Sequence, residues 1–131
     1  MLSPIELDRL ITSPHIPAAH RALWAIMMGS DVRLAEALSL DVRDIDYAGR
    51  AATVEYRKRA CEPTTVPLDA RAVEFARAAA AGRTEGPLLI AADGRPLTRE
   101  QAIRTARQHG GVSIHAFRTA GQALRAQRAA G

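Results

Sequence analysis

The chain has 131 residues, enough for one domain with a sizeable core, and only 4% of them are aromatic. The formal net charge is +4, and the single cysteine, Cys61, excludes an internal disulfide and suits a reducing cytoplasm. No stretch approaches the roughly 18 consecutive apolar residues of a membrane span, and the N-terminus has no secretory signal pattern. We therefore expect a cytoplasmic protein with no membrane partner.

The positive charge is concentrated towards the end of the sequence. Residues 99–131 contain six arginines and one glutamate, whereas the rest of the chain carries slightly more acidic than basic groups. This placement favours a polyanionic partner that approaches from that side. On charge alone, a solvated arginine-rich helix is an equally good interpretation.

The first predicted element is a helix with a clear starting signal. Ser3 and Glu6 are spaced as a capping box, and Pro4 suits the first helical position. We expect this helix to end near residues 13–14, where a proline follows a serine.

Two further helices are predicted before the middle of the chain. Apolar residues at helical spacing indicate a second helix over about 17–28, with Trp24 packed at its edge. Residues 29–31 interrupt it, and Asp31 can cap a third helix that extends to Leu40.

The middle of the chain predicts strands and one more helix. Residues 41–46 are expected to form a tight connection, and Asp69 to cap an alanine-rich helix that runs to Gly82. Strands are predicted at about residues 52–56, 64–68 and 87–90.

Two helices complete the pattern. A capping box at Thr98 predicts a helix that ends at residues 110–111, and the last helix begins near Ser113. Gly121 lies inside that last helix, where glycine costs roughly 1 kcal/mol relative to alanine. The pattern permits an α+β fold that is mainly helical.

The sequence contains the residue types needed for phosphoryl transfer on a nucleic acid. They are Arg33, Lys58 (the only lysine), His115 and Arg118. The planar fork of arginine can bind phosphate through two hydrogen bonds, and histidine or lysine can carry a proton to a leaving oxygen.

Each of these residues also has an ordinary interpretation. Arg33 can pair with Glu36 on a helix surface, residues 57–59 can form a solvated hairpin tip, and a single His-x-x-Arg motif can arise by chance. No metal-ligand spacing and no phosphate-binding glycine loop occurs in the sequence, so we expect neither a metal nor a cofactor.

In order and spacing, several segments resemble the conserved blocks of tyrosine recombinases and phage integrases. Residues 33–46 resemble the first block, in which an active-site arginine begins a helix of the form Arg-x-x-Glu-x-x-x-Leu and leads into Asp-Ile-Asp. Residues 113–118 resemble the second block, and residues 66–68 and 94–98 match the family's hairpin and a later loop. The resemblance covers nearly the whole chain. It implies a mainly helical α+β fold with a small antiparallel three-stranded sheet.

The resemblance also implies roles for the four residues. Arg33 and Arg118 would clamp the scissile phosphate of double-stranded DNA, and His115 would hydrogen-bond that phosphate and move protons. Lys58 would protonate the leaving 5′ oxygen, although counting back from residues 66–68 places Arg59 there instead. Further DNA contacts are expected from basic residues outside this set, namely Arg57, Arg59, Arg104, Arg107 and Arg125.

The sequence departs from the family pattern at two positions beside the arginines. Asp31 stands two residues before Arg33, where the family has glycine. Thr119 follows Arg118, where the family often has histidine.

The two tyrosines, Tyr47 and Tyr56, lie far upstream of the place of the family's nucleophile, and we expect both to be packing residues. We therefore expect residues 1–131 to form a single integrase-like catalytic domain that is truncated before the nucleophilic tyrosine. The family's N-terminal DNA-binding domain is not expected either.

The sequence thus predicts a DNA-binding, integrase-like domain that contacts DNA phosphate and does not cleave a strand alone. Two alternatives stay open. One is an accessory protein that interacts with a full-length recombinase or with a second copy of itself. The other is a domesticated protein-interaction domain whose arginines are ordinary surface charges.

Overall fold

Six helices and a three-stranded sheet make up the part of the chain that the computed structural model describes, residues 3–55 and 62–130. The helices are α1 (Pro4–Ile11), α2 (Ala18–Gly29), α3 (Leu34–Leu38), α4 (Ala70–Ala80), α5 (Arg99–Gly110) and α6 (His115–Ala130). The strands are β1 (Ile45–Asp46), β2 (Ala51–Val54) and β3 (Thr64–Pro67), and a 3₁₀ turn at Val42–Asp44 precedes β1. The mainly helical α+β fold with a three-stranded antiparallel sheet is confirmed.

The predicted helix starts are confirmed at three positions. The side chains of Ser3, Asp69 and Thr98 each accept a hydrogen bond from the backbone N–H group three residues later, at 3.3, 2.8 and 3.1 Å. These bonds satisfy donors that a helix leaves without partners in its first turn. Local chemistry therefore sets the starts of α1, α4 and α5.

The sheet contains two of the three predicted strands. Its order is β1-β2-β3 with antiparallel pairing throughout, and Ala52 is opposite Ile45 on one side and Val66 on the other. All three of these side chains are buried, so this face of the sheet covers part of the core. The third strand is Ile45–Asp46, which the sequence pattern had placed in a connection.

The strand predicted at residues 87–90 is wrong. This segment makes isolated bridges only, between Asp41 and Pro87 and between Ile90 and Pro96. Both bridges include a proline, which has no N–H group to continue a ladder of hydrogen bonds. The apolar run still packs inward, because Leu88 and Leu89 are buried.

Helix α2 lies at the centre of the molecule. It packs against α4 and α6 as well as α1 and α3, and almost every residue from Ala19 to Gly29 is buried. The prediction that Trp24 packs at an edge is wrong: its side chain has 0% exposure and stacks on Phe117 with ring centroids 5.0 Å apart. A helix covered on several sides has no solvent-facing edge where a tryptophan can lie.

The third helix is shorter than predicted, and Asp31 does not cap it. Helix α3 spans Leu34–Leu38 and Arg33 occupies the N-cap position, where its backbone N–H donates to the Glu36 carboxylate at 2.9 Å. The carboxylate of Asp31 instead accepts a hydrogen bond from Arg118 of α6. In residues 3–55 and 62–130, no helix is long and apolar enough to cross a membrane.

Candidate functional site

An ion pair joins Arg118, in the second of the two sequence blocks, to Asp31, which lies just before the first block. Nη2 of Arg118 donates a hydrogen bond of 2.7 Å to Oδ1 of Asp31, across 87 positions of sequence. Arg33 lies two residues after Asp31, and His115 lies one helical turn before Arg118. The fold therefore brings the beginning of α6 next to the segment that carries Arg33.

The guanidinium of Arg118 is held in a largely enclosed position. Its side chain is 21% exposed, whereas that of Asp31 is 58% exposed. The Nε atom of Arg118 is buried, and within the described residues it has no hydrogen-bond partner. Arg118 thus presents one bonded donor, Nη2, beside one buried donor whose hydrogen-bonding capacity is unmet.

The segment before Arg33 is shaped by its own backbone. The Ser30 hydroxyl donates to the Ile26 carbonyl at 2.6 Å and accepts a hydrogen bond from the Val32 N–H at 3.2 Å. Ser30 and Val32 are both buried, while the intervening Asp31 is exposed. This alternation anchors the segment on both sides of Asp31 and turns the aspartate outwards.

Arg33 itself begins α3 with an exposed side chain. The Glu36 side chain that accepts from its backbone N–H is buried, with 5% exposure. Glu36 is therefore not one half of a surface ion pair with Arg33, because its side chain lies in the interior. A buried carboxylate bonded to the backbone fixes where the Arg33 side chain leaves the helix.

Helix α6 is seated on the end of α2 by two residues beyond Arg118. A Cβ atom added at Gly121 would lie 2.0 Å from the Met28 carbonyl oxygen, so only glycine permits this approach. Arg125, one turn further on, donates to the carbonyls of Met28 and Ser30 at 3.0 and 3.1 Å. A cation at these carbonyls also suits the negative end of the α2 dipole.

Arg125 was predicted to contact DNA, and the structure gives it a second role. Both terminal nitrogens of its guanidinium donate to backbone carbonyls at the end of α2. The same contacts fix the segment on which Asp31 lies. The DNA contact of Arg125 stays a prediction.

His115 is the first residue of α6 and its side chain is exposed. Its backbone N–H donates to the Ser113 hydroxyl at 3.3 Å. Together with Ser113, Ala116 and Thr119, it lines a pocket of about 340 Å³ next to the helix start. The imidazole is therefore accessible to a ligand on the side of α6 that faces solvent.

The predicted contacts Arg104 and Arg107 lie on α5, away from this pocket. Both are exposed, and they line a shallow groove of about 580 Å³ with Glu100, Ile103 and Gln108. The groove and the pocket at His115 share no lining residue. The structure does not bring these two arginines together with Arg118, and their DNA contacts stay predictions.

The residues predicted to form a hairpin tip, Arg57, Lys58 and Arg59, lie outside the described residues. Tyr56 and Cys61 are in the same segment. Of the two tyrosines, Tyr47 is described: it is half-buried against the core, and the guanidinium of Arg77 lies over its ring at 5.0 Å. Tyr47 is thus a packing residue, as predicted from its position.

The mainly helical α+β fold with its small antiparallel sheet defines a class of protein, the tyrosine recombinase catalytic-domain type. The sequence model of the phage integrase family matches residues 1–128. The chain belongs to the phage integrase family.

Solved structures show the same fold. The crystal structure of XerA recombinase aligns with a TM-score of 0.77 at 20% identity, over 99% of this chain and 50% of XerA. The Tn1549 transposon integrase in complex with circular intermediate DNA aligns with a TM-score of 0.68 at 16% identity, over 97% of this chain and 52% of that protein. A variant of that integrase with transposon right end DNA gives 0.68 at 15% identity, over 97% and 53%. The chain spans about half the length of these proteins, and no curated protein sequence matches it.

Proposed function

We propose that this integrase-like domain binds duplex DNA by gripping a backbone phosphate with Arg118, Arg33 and His115. The observation that supports the proposal is the hydrogen bond of Arg118 to Asp31, which lies two residues before Arg33. Lys58, or Arg59 in its place, is proposed as the proton donor to the leaving 5′ oxygen.

The chemistry of Arg118 supports an anionic ligand with more than one acceptor oxygen. A buried donor without a partner costs roughly 1–3 kcal/mol, and an approaching anion would remove that cost at Nε. Arginine binds phosphate through two parallel N–H groups, which adds geometric specificity to the charge attraction. Limited exposure of the guanidinium strengthens such a contact, because water competes for it less.

The nature of the partner is supported by the structures with the same fold. Two of them are Tn1549 integrase complexes with DNA. The excess of arginine over acidic residues in 99–131 also favours a polyanion. Duplex DNA satisfies both observations.

We further propose that these 131 residues do not form a covalent link to DNA on their own. Tyr47 follows β1 and packs against the core beneath Arg77, and α6, which carries His115 and Arg118, contains no tyrosine. Incubation with a nicked suicide substrate, followed by denaturing electrophoresis, is expected to show no protein–DNA adduct. A covalent adduct would contradict this part of the proposal.

The binding proposal is tested by fluorescence anisotropy of a labelled duplex across a salt series. We compare the wild type with Arg33→Ala, Arg118→Ala and the double variant. The matched control is Arg9→Ala, which removes one exposed arginine from α1. Each single site substitution is expected to weaken binding at every salt concentration. It is also expected to make the negative slope of log K against log [salt] shallower by about one.

Three other outcomes would redirect the proposal. Equal effects of Arg9→Ala and the site variants would mean that overall charge, and not Arg33 and Arg118 in particular, binds DNA. Binding that none of these variants changes would move the contact to Arg104 and Arg107 on α5. Absence of binding at low salt would overturn the DNA proposal and favour a protein-interaction domain.

A further inference from the structure

We propose that Asp31 acts as an internal phosphate substitute, which holds Arg118 in the DNA-free protein and must release it when DNA binds. The inference rests on the proposed function, since it concerns access to the same guanidinium. It assigns to Asp31 the role of setting the affinity of the site. This role differs from that of a helix cap and from that of a residue that itself binds phosphate.

The geometry of the pair supports a replaceable acceptor. The Nε–H group of a guanidinium and the adjacent N–H of Nη2 point in parallel and form one edge that can bind two oxygens of the same anion. In Arg118, Nη2 donates to Asp31 while Nε is buried without a partner in the described residues. The carboxylate therefore uses only half of that edge. Two oxygens of a phosphate can satisfy both donors at once.

Exposure indicates which partner moves. The Asp31 side chain is 58% exposed and can turn towards water, whereas the Arg118 side chain is only 21% exposed. Phe117, directly before Arg118, is fully buried and stacked on Trp24, so the helix turn that carries Arg118 is fixed. Exchange thus moves the exposed aspartate side chain and leaves the core in place.

Charge gives the exchange a direction. In the free protein, the carboxylate offsets the positive charge of a partly buried guanidinium. When a phosphate arrives, the same carboxylate repels it, because two anions then compete for one cation. Residue 31 occupies the position where the family resemblance implies glycine, which has no side chain to compete. Asp31 is therefore expected to weaken DNA binding relative to a neutral residue.

The test measures duplex binding by anisotropy for Asp31→Asn and Asp31→Ala, each with Arg118 intact and with Arg118→Ala. The matched control, Glu74→Gln, removes one exposed acid from α4 and so reports the effect of net charge alone. We expect both Asp31 variants to bind about two- to five-fold more tightly than the control, the range of an exposed ion pair. This gain should disappear in the Arg118→Ala background, because the Arg118–Asp31 pair that the substitution releases is then already absent.

Failure of this inference is distinguishable from failure of the proposed function. A gain no larger than that of Glu74→Gln, or one that persists without Arg118, would overturn the role of Asp31. The proposed function would survive that result if Arg118→Ala still weakens binding by the wild type.

If none of the proteins binds DNA, the proposed function fails and inorganic phosphate provides the second probe. The Nε–H signal of Arg118 in ¹H–¹⁵N spectra is then followed during titration, with Arg118→Lys used to assign it. A larger phosphate-induced shift in Asp31→Ala than in the wild type supports the inference. Equal or absent shifts overturn it.

Discussion

Gly121→Ala is expected to destabilise the protein, although alanine is the better helix former. Gly121 lies in the middle of α6, where the gain from alanine at a free position is about 1 kcal/mol. At this position, however, the new Cβ would lie 2.0 Å from the Met28 carbonyl oxygen and 2.8 Å from its carbonyl carbon. An ordinary carbon–oxygen contact is about 3.3 Å or longer, so α6 must move away from α2 by more than about 1 Å.

The size of the effect follows from the contacts that such a shift affects. Inserting a methyl group into a closed contact costs about 1–3 kcal/mol. The hydrogen bonds from Arg125 to Met28 and Ser30, at 3.0 and 3.1 Å, would lengthen beyond useful distance, at about 1 kcal/mol each. After subtraction of the helix-propensity gain, we expect a loss of about 2–4 kcal/mol and a fall in Tm of roughly 5–15 °C.

The assay is urea denaturation followed by the fluorescence of Trp24, the only tryptophan. Trp24 stacks on Phe117 of α6, so its emission reports the docking of that helix directly. Gln122→Gly and Gln122→Ala serve as controls, since this neighbouring position in α6 is exposed. Their difference measures the Gly-to-Ala gain where no backbone is in the way. If Gly121→Ala raised the stability by the same amount, the close approach of α6 to α2 would be refuted.

Two further predictions concern the buried ring cluster around α2. Phe117→Leu is expected to lower the free energy of unfolding by about 0.5–1.5 kcal/mol through loss of the stack on Trp24, with rings 5.0 Å apart and 6° from parallel, and the same urea assay checks it. An unchanged midpoint would mean that the rings do not pack together. Burial first, and then the nearby charge of His109, lower the pKa of His20 below its usual 6.5. The unfolded chain therefore binds the proton more readily, and stability should be lost as the pH falls below about 6.5 and through the lowered value in the folded protein. His20→Gln should flatten this dependence, while His15→Gln at an exposed position controls for removal of a histidine; an unchanged slope in His20→Gln would contradict the assignment.

Short-range signals in the sequence predicted the parts of the fold that local chemistry decides. The caps at Ser3, Asp69 and Thr98 depend only on a side chain and a backbone N–H three residues away. The ordered blocks at residues 33–46 and 113–118 predicted the family, because their spacing reflects how the fold brings them together. These three helix starts and the family were confirmed.

The wrong predictions concern contacts between distant parts of the chain. The position of Trp24 depends on how many elements cover α2, which no pattern within α2 reveals. The third strand of the sheet is formed by residues 45–46, which pair with β2. Residues 87–90 make only isolated bridges, and each bridge includes a proline, which has no N–H group to extend a ladder. The pair between Arg118 and Asp31 spans 87 positions, and a nearby helix start made capping the simpler interpretation of Asp31.

The same distant contacts explain why one face of α6 serves both stability and the candidate site. Arg118, Gly121 and Arg125 are three, then four, residues apart, so they lie along one side of the helix. Gly121 and Arg125 fix that side to the end of α2. Arg118 then reaches the carboxylate of Asp31, which follows α2 in the chain. A shift of α6 large enough to break the Arg125 bonds would also move Arg118 away from Asp31. Binding measurements on any α6 variant therefore need a parallel stability measurement. A variant that loses affinity while the urea midpoint read from Trp24 is unchanged acts on the proposed phosphate contact itself.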